Sequence, residues 1–398
     1  MYLSKEEERI LNGEFGEGKR KALEILLAIG KIYDADRLMP IKSAHISGVS
    51  YNNIGDAGLD FLREFSVEAK VSVKATLNPG GVDPSRWQEM GIDEDFTRKQ
   101  MEVVNVFRRM GVETTLTCTP YLVGNTPSKG DHIAWGESSA VAYANSVLGA
   151  MTNRESGISA LAAAIIGKTP RYGMHVKEER VPKVRVKLKV KLREPSDFGA
   201  LGYIISKKIG GEVPWIEGIK NAGIEELKML SASIATYTGL PIFHIPGITA
   251  EWRDFDVPRE VVEIDDIDMK DAYEYLSESF DGIDLVWIGC PHTTVEELRK
   301  IARLLEGKSV KTELWITTSR RVRQEAEKLG YIKIIGGAGA KVICDTCVVV
   351  APLKGKFKTL VTNSAKACYY CRGVNNFMVK VANLEKCIEA ALKGIWIE

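Results

Sequence analysis

IDLVWIGCPHTTVEELRKIARLLEGKSVKTELWIT, residues 283–317, is the stretch of sequence that decides the fold. Residues 283–289 form a short apolar run that ends in glycine, which predicts a buried strand. Apolar residues then recur at helical spacing over residues 294–305, and residues 310–317 predict a second strand, followed by a helix over residues 320–329. Strands that alternate with helices of this length are typical of a parallel α/β sheet.

The same alternation extends on both sides of this stretch. Strands are predicted over residues 41–46, 71–75, 112–117, 184–192, 332–335, 345–350 and 359–362, and helices over residues 57–64, 96–110, 136–151, 157–166 and 384–392. The predicted fold class is therefore α/β, with several mostly parallel sheets flanked by helices and an active site at strand carboxyl ends between subdomains. Three subdomains are expected, at approximately residues 38–170, 171–270 and 271–398.

Composition and charge exclude several classes of protein. The 398 residues include 54 basic and 53 acidic side chains, for a net charge of +1, which argues against a nucleic-acid partner. No apolar run approaches the roughly 18 residues of a membrane span, and the first residues, MYLSKEEE, lack the apolar core of a signal peptide. Seven cysteines in so long a chain do not indicate a secreted disulfide scaffold. A cytoplasmic enzyme without a membrane partner is expected.

Three widely separated cysteines lie at predicted strand ends beside small polar residues. They are Cys118 in LTCTPY, Cys290 in WIGCPH and Cys347 in CDTCVVV. Three thiolates of this kind suit a cluster or a metal with one open coordination position, whereas a structural metal site is normally closed by four ligands. An open position allows a substrate oxygen to bind a Lewis acid.

A structural zinc site is the main alternative. Cys344 and Cys347 are separated by two residues, as are Cys368 and Cys371, and this spacing is within the range of zinc ribbons. If residues 342–350 are a strand, Cys344 and Cys347 point to opposite faces and cannot share one ion without a turn. A zinc-containing structural or regulatory protein remains an alternative of another class.

Two further motifs have a functional and a structural interpretation. Residues 336–341, GGAGAK, could cradle a phosphate after a strand, although they match neither the Walker nor the dinucleotide-binding spacing. In residues 183–192, basic side chains alternate strictly with apolar ones. Because no aromatic residues interleave, the favoured interpretation is a strand with one wet face guarded by lysines rather than a nucleic-acid surface.

Several polar residues at strand ends and helix starts are candidate ligands for an anionic substrate. A histidine at a strand end can act as an acid or a base, hydroxyls and amides at a helix start can contact an anion, and arginine can bind a carboxylate or a phosphate with two hydrogen bonds. The candidates are His45, Ser47, Gly48, Thr119, Glu137, Ser138, Ser139, Asn153, Arg154, Ser364 and Lys366.

These segments together resemble the catalytic region of the aconitase X family. The resemblance is carried, in order along the chain, by HISGVSY at residues 45–51, CTPY at 118–121, GESSAV at 136–141, GCPH at 289–292, DTC at 345–347 and TNSAK at 362–366. It implies that Cys118, Cys290 and Cys347 hold an iron–sulfur cluster, [4Fe–4S] with one iron open to substrate. It assigns no role to Cys344, Cys368, Cys371 or Cys387.

The resemblance also implies a function. Some members of the family carry a fused swivelling domain and dehydrate cis-3-hydroxy-L-proline. Others, mainly archaeal, are split into a large and a small subunit and dehydrate (R)-mevalonate 5-phosphate for isoprenoid synthesis. The length of this chain and its few glutamines favour the split, thermophile-like kind, so the implied partner is a small swivelling-domain subunit. The implied base is a serine of that subunit, with Ser364 as the alternative, and Lys366 and Arg154 contact the substrate anion.

Overall fold

The structure, a computed structural model, describes residues 1–396. The chain divides into two compact units, Met1–Val181 and Pro182–Glu398. The three subdomain ranges expected from the sequence remain a prediction beside this two-part division.

The first unit combines short strands with longer helices. Its strands are β1 (Leu38–Pro40), β2 (Ser43–Ile46), β3 (Lys74–Leu77), β4 (Ala134–Trp135) and β5 (Lys168–Pro170). Its helices are α1 (Lys5–Leu11), α2 (Glu17–Ile32), α3 (Tyr51–Phe65), α4 (Glu94–Arg109), α5 (Ser138–Tyr143) and α6 (Gly157–Ile166). Shorter 3-10 turns cover Pro120–Leu122, Gly173–His175 and Lys177–Arg180, and a π-helical turn at Ala144–Leu148 follows α5.

A three-stranded parallel sheet in the order β3-β2-β4 is the centre of this unit. Helix α6 packs against β2 and α2, and its residues Ala160–Ala164 are buried. Small side chains let this helix approach the sheet closely, as its alanine-rich sequence predicts. Because the three strands are parallel, the residues that follow them meet at one edge.

The second unit continues the α/β pattern. Its strands are β6 (Val184–Leu188), β7 (Pro214–Glu217), β8 (Glu260–Ile264), β9 (Leu285–Ile288), β10 (Glu313–Thr318), β11 (Lys341–Cys344), β12 (Thr359–Thr362) and β13 (Met378–Val381). Its helices are α7 (Pro195–Ile209), α8 (Ile224–Tyr237), α9 (Asp266–Tyr275), α10 (Val295–Leu305), α11 (Arg320–Lys328), α12 (Tyr331–Gly337), α13 (Ala365–Tyr370) and α14 (Leu384–Lys393), with a π-helical turn at Cys371–Asn375.

A five-stranded parallel sheet in the order β11-β10-β9-β12-β13 dominates the second unit. The chain builds outward from β9 in one direction through β10 and β11, and in the other through β12 and β13. The reversal of strand order beside β9 is a topological switch point, where open α/β sheets bind their ligands. Residues 283–317 therefore supply the central strand β9, helix α10 and most of the neighbouring strand β10, and the predicted parallel α/β class is confirmed.

The alternating basic strand is β6, the middle strand of a second parallel sheet in the order β7-β6-β8. The predicted strand extended to residue 192, whereas the observed one ends at Leu188. Its basic side chains form ion pairs with the neighbouring strands, Arg185 with Glu217 at 2.8 Å and Lys189 with Glu263 at 3.1 Å. The predicted wet face is present along this strand, because Val184 and Val186 are buried whereas Arg185 and Lys187 are partly exposed.

Three other predicted strands are wrong. Residues 112–117 contain only an isolated bridge between Glu113 and Thr76. Residues 332–335 belong to α12, because Gly330 adopts a left-handed conformation that begins a helix and Ile335 packs into the core. Residues 345–350 leave the sheet after Cys344, since Asp345 has φ of +63° and turns the chain. Gly336 and Gly337 are helical, so they do not form the predicted phosphate loop.

Within residues 1–396, no helix is both long enough and apolar enough to cross a membrane.

Candidate active site

The carboxyl edge of the β3-β2-β4 sheet collects a chain of hydrogen-bonded polar side chains. His45, in β2, lies within 2.8 Å of Thr76 through Nδ1 and within 3.3 Å of Asn78 Oδ1 through Nε2. The other end of the Asn78 amide donates to Glu137 at 2.8 Å. Asn78 follows β3 and Glu137 follows β4, so parallel topology brings all three strand ends together.

Burial holds His45 neutral. Its ring is fully enclosed, and the loss of hydration lowers its pKa to about 4 despite the nearby Glu137 carboxylate. Because Asn78 Oδ1 can only accept, the geometry favours a proton on Nε2 of the ring. Thr76 receives a hydrogen bond from Asn125 at 2.9 Å, which leaves its own hydroxyl proton for Nδ1. His45 is therefore a hydrogen-bonding group at neutral pH rather than a cation.

Glu137 organises the start of α5. It is the N-cap residue, and one of its carboxylate oxygens accepts hydrogen bonds from the Ser139 hydroxyl at 2.9 Å and from the Ser139 amide at 3.3 Å. The Ser138 hydroxyl lies 3.5 Å from the same oxygen. All three predicted residues are thus brought together with His45, although much of the hydrogen bonding of Ser139 is internal to the cap.

Two glycines let the Ser47 loop pass close to its neighbours. A Cβ atom on Gly136 would lie 2.5 Å from the Ser47 hydroxyl, and one on Gly157 would lie 2.4 Å from the Ser47 carbonyl oxygen. The next residue, Gly48, has φ of +70°, a conformation that favours glycine. The structure therefore places Ser47 and Gly48 beside the segment that leads to Glu137.

The other predicted residues of the first unit have mixed surroundings. Cys118 and Thr119 are buried, and the Thr119 hydroxyl contacts the Thr117 hydroxyl at 3.1 Å. The Asn153 side chain stabilises the turn at residues 172–174. Its Nδ2 donates to the Tyr172 carbonyl oxygen at 3.0 Å, and its Oδ1 accepts from the Met174 amide at 2.8 Å. Arg154 is exposed and bridges to Trp135 at the end of β4.

In the second unit, four predicted residues follow strands of the five-stranded sheet. Cys290 follows the central strand β9, Cys347 follows β11 after the turn at Asp345, and Ser364 and Lys366 follow β12. All four are thus at the carboxyl side of one sheet, and three of them, Cys290, Ser364 and Lys366, follow the strands β9 and β12 that flank its switch point. Gly289 makes this possible, because its φ is +122° and a Cβ atom there would lie 2.3 Å from the Thr317 carbonyl oxygen.

Hydrogen bonds tie the two cysteine loops to each other. His292 is fully buried, and its Nε2 donates to the Thr346 carbonyl oxygen at 3.0 Å, next to Cys347. On the far side of Cys347, the Asn375 side chain donates to the Val348 carbonyl oxygen at 3.1 Å. The Cys347 loop is therefore held on both sides.

The donor chemistry of these loops fits an iron–sulfur group. Thiolates are the ligands that such clusters use, and the Thr346 hydroxyl beside Cys347 is buried with no hydrogen-bond partner among the described residues. A buried hydroxyl of this kind normally has a partner, so its position is consistent with a bound group that completes the site.

The four-cysteine zinc alternative gains no support from the second unit. Burial raises the pKa of Cys368 to about 12, and burial together with the thiols of Cys290 and Cys347 raises that of Cys371 well above its usual range. Both side chains are therefore neutral thiols in the metal-free chain, and the turn at Asp345 removes the strand argument against an ion shared by Cys344 and Cys347. Among residues 1–396, no three His, Cys, Asp or Glu side chains form a group that could hold a metal ion.

Ser364 and Lys366 begin helix α13. The Ser364 hydroxyl caps the helix by accepting a hydrogen bond from the Ala367 amide at 3.1 Å. The Lys366 ammonium lies 5.9 Å from the centre of the Tyr370 ring. Both side chains are buried, so the cation lies where an anion would be attracted strongly.

Sequence reasoning missed Thr76, Asn78 and Thr346 as site residues. Asn78 and Thr346 each follow a strand beside a motif that was recognised, and their small polar side chains were the available signal. Thr76 gave none, because its role depends on its register opposite His45.

Each unit contains a parallel sheet with polar side chains or cysteines at its carboxyl edge, the place where α/β enzymes bind their ligands. The chain belongs to the aconitase X family. The family's first domain matches residues 1–178, its second domain residues 182–274 and its third domain residues 283–393.

Relatives of known activity extend over nearly the whole chain. The phosphomevalonate dehydratase large subunit of Thermococcus kodakarensis is 47% identical over 98% of this chain and 100% of that protein. Its counterpart in Methanosarcina mazei is 46% identical over 99% of this chain and 98% of that protein. The cis-3-hydroxy-L-proline dehydratase of Pseudomonas aeruginosa is 33% identical and is covered over 69% of its length.

A solved structure supports the same placement. The crystal structure of Thermococcus kodakaraensis aconitase X in its holo-form matches with a TM-score of 0.92 and 47% identity, over 98% of this chain and 100% of that one. The predicted family and fold class are therefore confirmed.

Proposed function

We propose that this chain is the large subunit of a phosphomevalonate dehydratase, a hydro-lyase that converts (R)-mevalonate 5-phosphate to trans-anhydromevalonate 5-phosphate and water. The observation that carries the proposal is the 45–47% identity to four large subunits of that enzyme, over 93–99% of this chain. Identity to the hydroxyproline dehydratases is lower, at 32–33%.

The proposed cofactor is an iron–sulfur cluster, [4Fe–4S] with one iron open to substrate, held by Cys118, Cys290 and Cys347. Support comes from the family, from the thiols at the carboxyl side of the five-stranded sheet and from the unpartnered Thr346 hydroxyl beside Cys347. When bound, such a cluster supplies a Lewis acid toward the hydroxyl that leaves.

The remaining chemistry falls to the protein's own side chains. Dehydration breaks a C–O bond and a C–H bond, forms a C=C bond and releases water, so charge develops on the substrate carboxylate as the proton leaves. We assign anion binding to Arg154 and Lys366, and hydrogen bonding to Ser47, Gly48, Thr119, Ser138, Ser139 and Asn153. His45 and Glu137 are buried beneath this proposed substrate-binding surface and are joined by hydrogen bonds through Asn78.

The proton acceptor is proposed to be a serine of a small swivelling-domain subunit. The relatives' description as large subunits supports the existence of such a partner. The alternative within this chain is Ser364, whose hydroxyl oxygen already accepts a hydrogen bond from a helix amide. A nearby cation such as Lys366 would favour its ionised form.

The proposal is tested by anaerobic purification of the chain, followed by visible absorption, iron and sulfide analysis. We expect a brown protein that, with the small subunit, dehydrates mevalonate 5-phosphate and not cis-3-hydroxy-L-proline. Cys290→Ala should abolish iron binding and activity. Cys387→Ala is the matched control, because Cys387 is also buried but lies in α14 and donates to the Ala382 carbonyl.

Two results would contradict the proposal. Turnover of hydroxyproline in preference to phosphomevalonate would transfer the chain to the other branch of the family. A colourless protein with stoichiometric zinc, unaffected by Cys290→Ala but unfolded by Cys368→Ala, would replace the enzyme with the zinc protein.

A further inference from the structure

A fully buried lysine lies beneath the Cys290 loop. Lys228 lies in α8 with 1% of its surface exposed. Its ammonium donates to the His292 carbonyl oxygen at 2.9 Å and to the Pro291 carbonyl oxygen at 3.4 Å, and it forms an ion pair with Glu297 at 2.5 Å. All three partners are acceptors, so the three donors of the ammonium are satisfied.

The pair is built into the loop rather than added to the surface. Glu297 is the N3 residue of α10, and its carboxylate also accepts from the Thr294 amide at 2.8 Å. A buried ion pair gives little net stability, because the desolvation of two charges offsets their attraction. Its evident effect is geometric, since two consecutive carbonyls next to Cys290 are held by one fixed cation.

The same arrangement reaches the second cysteine loop. The backbone of His292 is held by Lys228, and its ring donates from Nε2 to the Thr346 carbonyl oxygen at 3.0 Å. Cys347 is the next residue along the chain from Thr346. A continuous path of hydrogen bonds therefore connects Lys228 to the backbone carbonyls of Pro291 and His292, which follow Cys290, and to that of Thr346, which precedes Cys347.

We propose that Lys228 is a positioning residue, which fixes the Cys290 loop directly and the Cys347 loop through His292, so that both sulfurs are pre-arranged for an iron–sulfur group. The inference rests on the proposed function, because it concerns ligands of the proposed cluster. Ligands held by surrounding hydrogen bonds retain a metal better than mobile ones, and loss of such support typically costs 10- to 100-fold in metal affinity.

The test removes the two charges together. In the double variant Lys228→Met with Glu297→Gln, no charge is left unpaired, and the glutamine oxygen can still accept from the Thr294 amide. We expect a wild-type circular dichroism spectrum, but a loss of visible absorption in air at least fivefold faster than in the wild type. His292→Leu, which removes the connection to Thr346, should also accelerate cluster loss and carries the test if the double variant does not fold.

A pair in the first unit supplies the control. Lys168 and Glu7 form an ion pair at 2.7 Å, and Glu7 also accepts from the backbone amide of its N-cap residue Ser4, as Glu297 does from Thr294, although Glu7 uses its second oxygen for this bond and Glu297 uses one oxygen for both. Lys168→Met with Glu7→Gln should leave the rate of cluster loss unchanged. Wild-type cluster retention in the Lys228 double variant and in His292→Leu would overturn the positioning role alone. A wild-type chain that takes up no iron would overturn the proposed function and this inference with it.

Discussion

At the scale of single residues, His45 makes stability depend on pH. Its pKa is about 4 in the folded chain against an ordinary value of 6.5, because the ring is buried and uncharged. The unfolded chain therefore binds a proton first as the pH falls, so His45 contributes fully above pH 6.5 and its contribution is lost between pH 6.5 and 4. The shift corresponds to about 3 kcal/mol.

The measurement is the free energy of unfolding in denaturant at pH 7 and at pH 4.5. His45→Gln should reduce the difference between the two values by most of that amount. His175 is also buried, with a pKa lowered to about 3, so His175→Gln should reduce the same difference for the same reason, and the exposed substitution Asn221→Ala is the control that should leave it unchanged. An unchanged pH dependence in His45→Gln would show that the ring is accessible to protons in the folded state.

Asn78 supports a second prediction at the same scale. Its amide joins His45 to Glu137, so Asn78→Ala leaves an imidazole nitrogen and a buried carboxylate each without this partner. Removing one partner of a hydrogen bond to a charged buried group costs about 1.5–3 kcal/mol. We expect unfolding measurements to show that loss. The fall in kcat, expressed as a free energy, should be larger than the loss of stability. Asn221→Ala, at an exposed position, is the control.

At the scale of elements, the turn after β9 depends on Gly289. Alanine there would combine a φ of +122° with a Cβ atom 2.3 Å from the Thr317 carbonyl oxygen. Strain and overpacking together should cost roughly 2–5 kcal/mol, measured by denaturant unfolding. Gly330→Ala tests the strain alone, because Gly330 has φ of +83° in open space. Equal losses in the two variants would contradict the close approach to Thr317.

Elements with strong local signals were predicted well from the sequence. Helix α4 follows an Asp93 cap and α10 follows a Thr294 cap, and both match their predicted ranges within two residues. The failures occur where tertiary contacts override propensity. The β-branched run 332–335 is helical because it packs on α10 and α11, and the apolar residues 348–350 follow a turn that only the conformation of Asp345 decides.

The residues of the candidate site also differ in whether local sequence or tertiary contacts identify them. Residues at strand ends, such as Cys290 and Ser364, could be chosen because parallel topology assigns ligands to carboxyl edges. Lys228 could not, since its contacts are with backbone carbonyls 63 and 64 residues away. Every residue carries a backbone carbonyl, so the residue types do not show which carbonyls accept a hydrogen bond from a distant side chain.

At the scale of the whole molecule, the two candidate bases predict different behaviour of the isolated chain. If a serine of the small subunit accepts the proton, the chain alone binds its cofactor but has no measurable dehydratase activity. Activity should then rise linearly with added small subunit and level off at an equimolar ratio, and Ser364→Ala should retain most of it. Because the Ser364 hydroxyl caps α13, this variant is expected to lose about 1 kcal/mol of stability.

The opposite pattern would assign the base to this chain. Activity in the isolated chain that disappears in Ser364→Ala, with iron content and visible spectrum unchanged, would make Ser364 the proton acceptor and limit the partner to substrate enclosure. Ser319→Ala is the matched control, because Ser319 also caps a helix of this unit, accepting from the Val322 amide at 3.2 Å. It should lose similar stability and no activity, so the difference between the two serine variants measures chemistry apart from folding.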